Sequence, residues 1–469
     1  MRKALVVTLF LVASGALPRG LTAQESDLSA KVDAIFADYK SDTPGCAVGV
    51  VHNGKLVHRK GYGSANLDYG IPITTNSVFY IASVSKQFTA AVAILLADEG
   101  LISLDDDIRK YIPELPDYGT TITIRQLIQH TSGLRDYLRL MNLAGMRTTD
   151  VHTDDEVLQL IINQRELNFK PGTKYLYSNT GYFLISVLTK RLTGKSLRQY
   201  ADEKIFRPLG MKNTHFHDDR NMIVPGRVIS YNSRRDGSYY IADWKNFEQV
   251  GSGGLLSTVE DLFLWDQNFE QNRLAAQDLI PQLHSRAVLA NGDTIDYAFG
   301  LRIAEYRGLR TVSHGGSSMG FRAHFLRFPD ERFSAIVLCN VGSAVPARLA
   351  ERIADIYLAD KLSPPKRVAA SPSSGRSTTQ RPTLSASELR EFVGTYHSPE
   401  LNVDYTLSIE GNALVLTRPA AESAKLNPLR KDTFRGGSLT IAFTRDANGR
   451  VTGFLVDAER VLHLRFDRR

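Results

Sequence analysis

The chain of 469 residues has only two cysteines, and its histidines and cysteines nowhere cluster at the spacing of metal ligands, so no metal site is expected. After the N-terminus no stretch approaches the roughly 18 consecutive apolar residues of a membrane-spanning helix, so we expect no membrane span. The basic residues are scattered or lie in a Ser- and Pro-rich segment, without a stripe of interleaved aromatic residues. Nucleic acid is therefore not an expected partner, despite a formal net charge of +7.

The two cysteines, Cys46 and Cys339, both lie in apolar runs that read as strands, 46–51 and 335–339. We favour two buried thiols that pack as small hydrophobic side chains. An oxidising compartment leaves a disulfide open if the two strands pair.

Residues 1–23 have the composition of a secretory signal peptide. Arg2 and Lys3 precede an apolar core at 4–13, and cleavage is expected after Ala23. The apolar core is too short to span a bilayer. We therefore expect an exported protein, located in a periplasm or secreted.

Composition divides the rest of the chain. Residues 362–386 are rich in Ser, Pro, Thr and Arg, which predicts a linker between a domain at 24–361 and a domain at 387–469. The first domain is mostly helical from about 83 to 220 and then changes to short alternating strands. The second has only strands and turns, which predicts a small antiparallel β-barrel. The strands expected after residue 296 are 299–303, 311–314, 323–328, 333–338, 391–396, 405–409, 414–417, 439–444 and 451–456.

The pair Ser83-x-x-Lys86 opens a buried helix that runs to Gly100. Ser83 lies in the first turn and Lys86 follows on the same face, so a lysine whose pKa is lowered by burial could activate the serine. The N–H groups of a helix N-terminus suit an oxyanion beside the serine. Chance also produces such pairs, and a second one, 363–366, lies in a proline-rich context that we set aside. The alternative function of Ser83 is a helix N-cap.

Tyr177 and Asn179 follow a Pro-Gly turn at 171–172 and come just before a predicted helix. Two residues apart on an extended segment, their side chains point the same way. A buried tyrosine and an Asn helix cap are an equally open interpretation of this pair.

His314, Gly315 and Gly316 lie between two predicted strands, and Ser317 follows them. A strand edge that carries glycines can place backbone N–H groups directly against a substrate.

The chain resembles the serine β-lactamase and penicillin-binding-protein superfamily in three motifs that occur in the same order: Ser83-x-x-Lys86, Tyr177-x-Asn179 and His314-x-Gly316. It looks most like the class C-like group of esterases, D-aminopeptidases and DD-peptidases, over about residues 28–360. The resemblance implies an α/β (α+β) fold, with an antiparallel sheet flanked by helices and a helical subdomain. Residues 387–469 are similar to the lipocalin-like C-terminal domain of some members.

The resemblance also implies roles for these residues. Ser83 would be the acylated nucleophile, and Lys86 and Tyr177 would share the duty of base. Asn179 would position the substrate and Lys86. The backbone N–H groups of Ser83 and Ser317 would form the oxyanion hole, and no cofactor is implied.

A resting Tyr177 anion would need a pKa lowered by about three, or roughly 4 kcal/mol. We therefore favour a concerted transfer with Tyr177 protonated at rest, and which of Tyr177 and Lys86 is the resident base stays open.

The third motif departs from the Lys-Thr-Gly of many relatives, whose cation and hydroxyl hold a substrate carboxylate. His314 is mostly neutral at pH 7 and Gly315 has no hydroxyl, which weakens the case for a β-lactamase. We predict a serine hydrolase that forms an acyl-enzyme with small-molecule or peptide amides or esters, of the DD-peptidase, D-aminopeptidase or esterase type. The alternatives are a class C-like β-lactamase and a non-catalytic binding or regulatory protein. For Arg322, a strand-edge position is favoured over replacement of the lost cation.

Overall fold

The computed structural model describes most of the chain, namely residues 23–147, 149–243, 246–274, 276–365 and 384–469. The expected signal peptide, 1–23, lies outside the described residues except for its last position. Most of the expected linker does as well, because residues 366–383 are not described. Among the described residues, none of the helices combines the length and the apolar character that a bilayer crossing requires.

Helices dominate the region between residues 82 and 209. The α-helices are α1 (Ala23–Ile35), α2 (Lys86–Asp98), α3 (Ile124–Ile128), α4 (Tyr137–Ala144), α5 (Asp154–Ile162), α6 (Asn179–Thr193), α7 (Leu197–Ala201), α8 (Arg207–Leu209), α9 (Val259–Gln271), α10 (Leu279–Leu283), α11 (Pro346–Tyr357) and α12 (Ala386–Leu389). Shorter helical turns are Ala82–Ser85, Ile108–Lys110, Asp202–Phe206, Pro329–Glu331 and Arg390–Phe392.

Strands form one large sheet, a barrel and several short pairings. In chain order they are β1 (Cys46–His52), β2 (Lys55–Tyr62), β3 (Ser64–Asn66), β4 (Ile71–Pro72), β5 (Phe79–Tyr80), β6 (His215–Phe216), β7 (Tyr231–Ser233), β8 (Tyr239–Ile241), β9 (Leu255–Ser257), β10 (Arg302–Tyr306), β11 (Leu309–Ser318), β12 (Phe321–Phe328), β13 (Phe333–Cys339), β14 (Gly394–Ser398), β15 (Val403–Glu410), β16 (Ala413–Thr417), β17 (Ala424–Arg430), β18 (Thr433–Gly436), β19 (Leu439–Arg445), β20 (Val451–Ala458) and β21 (Val461–Arg468).

The large sheet is antiparallel and has the strand order β10-β11-β12-β13-β1-β2. Strand β1 is buried on both faces, which explains its nearly continuous apolar sequence. Val48 and Val50 pack with α1 and α11 on one face. Gly49 faces the other side, where a Cβ would lie 2.5 Å from Val259 of α9, so glycine lets that helix approach closely.

Cys46 and Cys339 are opposite each other in the β1–β13 register and form a disulfide. The interpretation as two buried free thiols was therefore wrong. Apolar sequence around both cysteines indicated burial, but only the pairing of two strands 293 residues apart brings the sulfurs together. The bond ties the N-terminal strand to the middle of the sheet.

Helix α2 is the centre of the helical region, since every residue from Lys86 to Leu96 is buried. Its sequence of alanines and branched apolar residues fits a helix enclosed on all sides, and each fully buried large side chain contributes about 1.5–3 kcal/mol. The indole of Trp265 donates a hydrogen bond to the Gln87 side chain at 2.6 Å, which fixes α9 against the start of α2. Lys86 therefore begins its helix inside the protein core.

The strands β14–β21 close into an antiparallel barrel that docks on the helical region. Arg135, which is fully buried, forms an ion pair of 2.6 Å with Glu400 of the barrel. The same guanidinium donates hydrogen bonds to the backbone oxygens of Leu462 and His463, each at 3.1 Å. Tyr405 donates to the backbone oxygen of Leu143 at 2.8 Å. The junction is thus held by specific polar contacts.

Candidate active site

The local backbone presents Ser83 at the end of a short strand. Strand β5 leads into the helical turn Ala82–Ser85, in which Ala82 has a left-handed φ of 49°. Such a conformation is uncommon for alanine and persists only where the surroundings hold it. The hydroxyl of Ser85 does so, because it donates to the backbone oxygen of Ala82 at 2.5 Å and accepts from the N–H of Leu255 at 3.2 Å. Ser83 consequently faces a cavity.

Lys86 is fully buried and directed at Ser83. Its Nζ lies 3.2 Å from Ser83 Oγ, 2.8 Å from Asn179 Oδ1 and 2.5 Å from the backbone oxygen of Ser252. Burial lowers the pKa of Lys86 well below its ordinary value, and the Asp136 carboxylate only partly opposes this. A neutral amine has two N–H donors and one lone pair. Asn179 Oδ1 and the Ser252 backbone oxygen can only accept and would take both donors, so a neutral Lys86 would turn its lone pair toward Ser83 Oγ.

Tyr177 lies on another side of Ser83. Its hydroxyl is hydrogen-bonded to Ser83, and Lys86 Nζ lies 4.8 Å from the centre of its ring. Burial raises the pKa of Tyr177 above its ordinary value. Tyr177 is therefore protonated at rest, which agrees with the concerted transfer favoured above.

Asn179 is held in one orientation by Asp136. Both the backbone N–H and the side-chain Nδ2 of Asn179 donate to Asp136 Oδ2, each at 2.7 Å. Because the carboxylate fixes the Nδ2 side of the amide, Oδ1 must face Lys86. Ser178 caps helix α6 at this point by accepting from the N–H of Thr180 at 3.3 Å.

His130, for which the sequence favours a packed structural role, lies behind Tyr177. Its backbone is left-handed with a φ of 59°, and its Nδ1 accepts from the N–H of Ser178 at 3.2 Å. Its ring centre is 4.2 Å from that of Tyr177 and 4.5 Å from that of Tyr297. Burial lowers the pKa of His130 well below its ordinary value. The neutral imidazole ring therefore packs against the ring of Tyr177.

Strand β11 forms the opposite side of the cavity and carries His314. Its Nδ1–H donates to the backbone oxygen of Gly315 at 2.6 Å, and Tyr297 donates to its Nε2 at 3.0 Å. Burial lowers the pKa of His314 to about 3. The group that stands where many relatives have a lysine is therefore uncharged at neutral pH.

Gly316 brings β11 against the turn that carries Ser83. A Cβ at this position would lie 2.2 Å from the backbone oxygen of Ile81 and 3.2 Å from the Cβ of Ala82. Only glycine allows this approach. Ser317 and Ser83 line the same cavity.

The cavity has a volume of about 530 Å³ and is also lined by residues outside the three motifs. Arg322, the second residue of β12, lines it, and so does His324, which is opposite Gly315 in the β11–β12 register. Arg460 reaches it from the turn between β20 and β21 of the barrel. Among the described residues, the lining contains no Asp or Glu.

Comparison with known proteins identifies the family. Residues 32–358 match the Beta-lactamase family, and the chain belongs to it. Residues 378–468 match a domain of unknown function, DUF3471. The expected fold, a β-lactamase-like domain with an antiparallel sheet followed by an antiparallel barrel, is confirmed.

The similar proteins include hydrolases. The chain is 30% identical over 327 residues to a D-aminopeptidase of Gluconobacter oxydans and 32% identical over 323 residues to one of Brucella canis. These matches cover 70% and 69% of this chain, but only 61% of either relative. An octameric penicillin-binding protein homologue from Pyrococcus abyssi shares the fold, with a TM-score of 0.62, 22% identity and coverage of 94% of this chain and 99% of its own. A D-amino acid amidase from Ochrobactrum anthropi has a TM-score of 0.60 and 21% identity, over 71% of this chain and all of its own.

Proposed function

We propose that the protein is a serine hydrolase that forms an acyl-enzyme on Ser83, with amide substrates of the D-aminopeptidase or DD-peptidase type. The observation that supports it most is the buried Lys86 amine, whose Nζ lies 3.2 Å from Ser83 Oγ and is oriented by hydrogen bonds to Asn179 Oδ1 and the Ser252 backbone oxygen. Membership of the Beta-lactamase family and the activity named for the D-aminopeptidase relatives support the proposal.

Acylation follows from this geometry. Ser83 Oγ attacks the substrate carbonyl carbon as its proton passes to Lys86, and the carbonyl oxygen becomes an oxyanion beside the backbone N–H groups of Ser83 and Ser317. When the intermediate collapses, the C–N bond breaks and the Tyr177 hydroxyl gives its proton to the leaving nitrogen. Lys86 then returns the proton to Tyr177. Attack by water on the ester, with the same groups in the reverse order, releases the acid.

A β-lactamase is a weaker candidate for this site. Neutral His314 supplies no cation for a substrate carboxylate, and Gly315 supplies no hydroxyl. A purely binding protein is weaker as well, because binding alone would not require a buried lysine with a lowered pKa beside a serine.

Two further assignments go with this function. We propose that the protein is exported, to a periplasm or beyond the cell, because a signal-like N-terminus occurs together with a Cys46–Cys339 disulfide. We also assign the C-terminal domain a lipocalin-like form, since β14–β21 follow one another around a closed barrel.

The test compares wild type with Ser83→Ala on D-alanine p-nitroanilide and its L enantiomer. We expect release of p-nitroaniline from the D substrate, a loss of at least about 10³-fold in the variant, and unchanged rates in the matched control Ser387→Ala, an exposed serine of α12. Turnover that survives Ser83→Ala in folded protein would refute the proposal.

A further inference from the structure

The β20–β21 turn of the barrel reaches the catalytic residues through Arg460. Its guanidinium lies 4.9 Å from the centre of the Tyr177 ring and 3.7 Å from Asp136 Oδ2. Its backbone oxygen accepts from the N–H of Asp136 at 3.3 Å and from Nδ2 of Asn168 at 2.9 Å. Backbone and side chain are thus both held, and the guanidinium is placed on the face of the tyrosine.

Asp136 links Arg460 to the rest of the machinery. The carboxylate oxygen that faces Arg460 also accepts both hydrogen bonds from Asn179, whose Oδ1 accepts from Lys86. A charge at position 460 therefore acts on two groups, on Tyr177 directly and on Lys86 through the same cluster.

The charges around Tyr177 make Arg460 distinctive. Burial lowers the pKa of His130 and His314 from an ordinary value already below 7, so both rings near Tyr177 are neutral at pH 7. Burial also lowers the pKa of Lys86 well below its ordinary value. Among the described residues, the titratable groups that face Tyr177 from the elements around it are Ser83, Lys86, His130, Asp136, Tyr175, Tyr182, Tyr297, His314 and Arg460. Of this set, Arg460 is the permanent cation.

We propose that Arg460 is a positioning residue for the proton transfer through Tyr177. Its guanidinium stabilises the negative charge on the tyrosine oxygen while the proton moves to the leaving group, since a cation on a ring face attracts a phenolate more than a phenol. The barrel thereby supplies one part of the hydrolytic site. The inference rests on the proposed serine hydrolase function.

Removal of this charge has a defined sign. The positive charge of Arg460 lowers the pKa of both Lys86 and Tyr177. Without it both groups hold their protons more tightly, so the acidic limb of the reaction moves to higher pH. For charges about 5 Å apart at the edge of a protein we expect a shift of roughly one pH unit, which is about a tenfold loss of rate below the limb.

The experiment uses the full chain and the variants Arg460→Met, Arg460→Lys and Arg450→Met. Arg450 is a solvent-exposed arginine of the same barrel that pairs with Asp446, so it is a matched control. The readouts are the rate of Ser83 labelling by a fluorophosphonate from pH 5 to 10, followed by intact mass, and kcat and KM for D-alanine p-nitroanilide. We expect Arg460→Met to move the acidic limb of the labelling rate to higher pH and to lower kcat about tenfold, with little change in KM. Arg460→Lys should restore most of the limb position and of kcat. Arg450→Met should match wild type.

A further variant tests the seating of the turn. Glu459→Ala removes the neighbouring ion pair with Arg139 and leaves Arg460 in place, so its acidic limb should match wild type. If the acidic limb of the labelling rate in Arg460→Met stays at the wild-type pH, the inference is overturned. A change in KM alone also overturns it, because Arg460 would then be a substrate contact. Wild-type protein that is not labelled at Ser83 would instead refute the proposed function, so the two failures are distinguishable.

Discussion

Two adjacent glycines of β11 differ sharply in the space available to a side chain. A Cβ on Gly316 would lie 2.2 Å from the Ile81 oxygen, whereas a Cβ on Gly315 would meet its nearest neighbour, Nδ1 of His324, at 3.4 Å. Ordinary contact between these atoms begins at about 3.4 Å. Gly316→Ala must therefore move β11 and the Ser83 turn apart by roughly 1 Å, while Gly315→Ala needs almost no adjustment.

We expect Gly316→Ala to lower the free energy of unfolding by about 1–3 kcal/mol, as overpacking of a tight contact does. The larger effect is on activity, because a displacement of roughly 1 Å between Ser317 and Ser83 widens the oxyanion hole and can reduce kcat about 10²-fold. The assay is hydrolysis of D-alanine p-nitroanilide together with urea unfolding of both variants. Equal kcat values for Gly315→Ala and Gly316→Ala, in proteins folded to the same extent, would refute this reasoning.

Three more predictions concern stability. The double variant Cys46→Ala, Cys339→Ala should lower the free energy of unfolding in urea by up to roughly 5–6 kcal/mol, because the disulfide closes a loop of 293 residues. Dithiothreitol should have no effect on this variant. An unchanged urea midpoint of unfolding would contradict the prediction. Arg135→Met leaves Glu400 buried without its partner and should be destabilising by about 3–5 kcal/mol, whereas a neutral result would mean that the barrel docks through other contacts. Because burial lowers the pKa of Lys86, the unfolded chain binds its proton more tightly, so the free energy of unfolding should rise with pH up to the ordinary lysine pKa of 10.5. Lys86→Met should remove this rise, and equal pH slopes in wild type and variant would exclude a lowered pKa.

Local chemistry made much of the fold predictable. The Asn-Gly turn at 53–54 and the apolar run of β1 depend on neighbours in sequence, and so do the helices at α3, α5 and α6. The three motifs could also be placed on a helix start, a loop and a strand edge. Ser83 was expected in the first turn of the α-helix. It lies instead in a short 3-10 helix, Ala82–Ser85, which is wound more tightly than an α-helix and directly precedes α2.

Two strands, β10 and β17, differ from the expectation because their positions depend on tertiary packing. A strand was expected at 299–303, but β10 begins at Arg302, because Phe299 and Leu301 are buried in a turn around Gly300, whose φ is 71°. This turn packs closely against the backbone of Gln87 and therefore contains apolar residues. In the sequence these apolar residues look like a strand. Strand β17 was not expected, since Leu426 is its one buried side chain and the segment contains Pro428, so no alternation marks it.

The site was predictable only where its residues follow a local pattern. Nothing around Arg460 distinguishes it from the other arginines of the barrel, and its position at Tyr177 depends on how two domains dock. The orientation of Asn179 depends in the same way on Asp136, which no motif singled out.

The central claim is that Ser83 is the nucleophile and that neutral Lys86 activates it. The most direct measurement is an intact-mass time course of the protein with a penicillin and, separately, a fluorophosphonate, followed by peptide mapping of any adduct. We expect a fluorophosphonate adduct on the peptide that contains Ser83, formed at a rate that is at least about 10³-fold lower in Lys86→Met. An adduct on another residue, or labelling of Ser83 that is equally fast without Lys86, would contradict it.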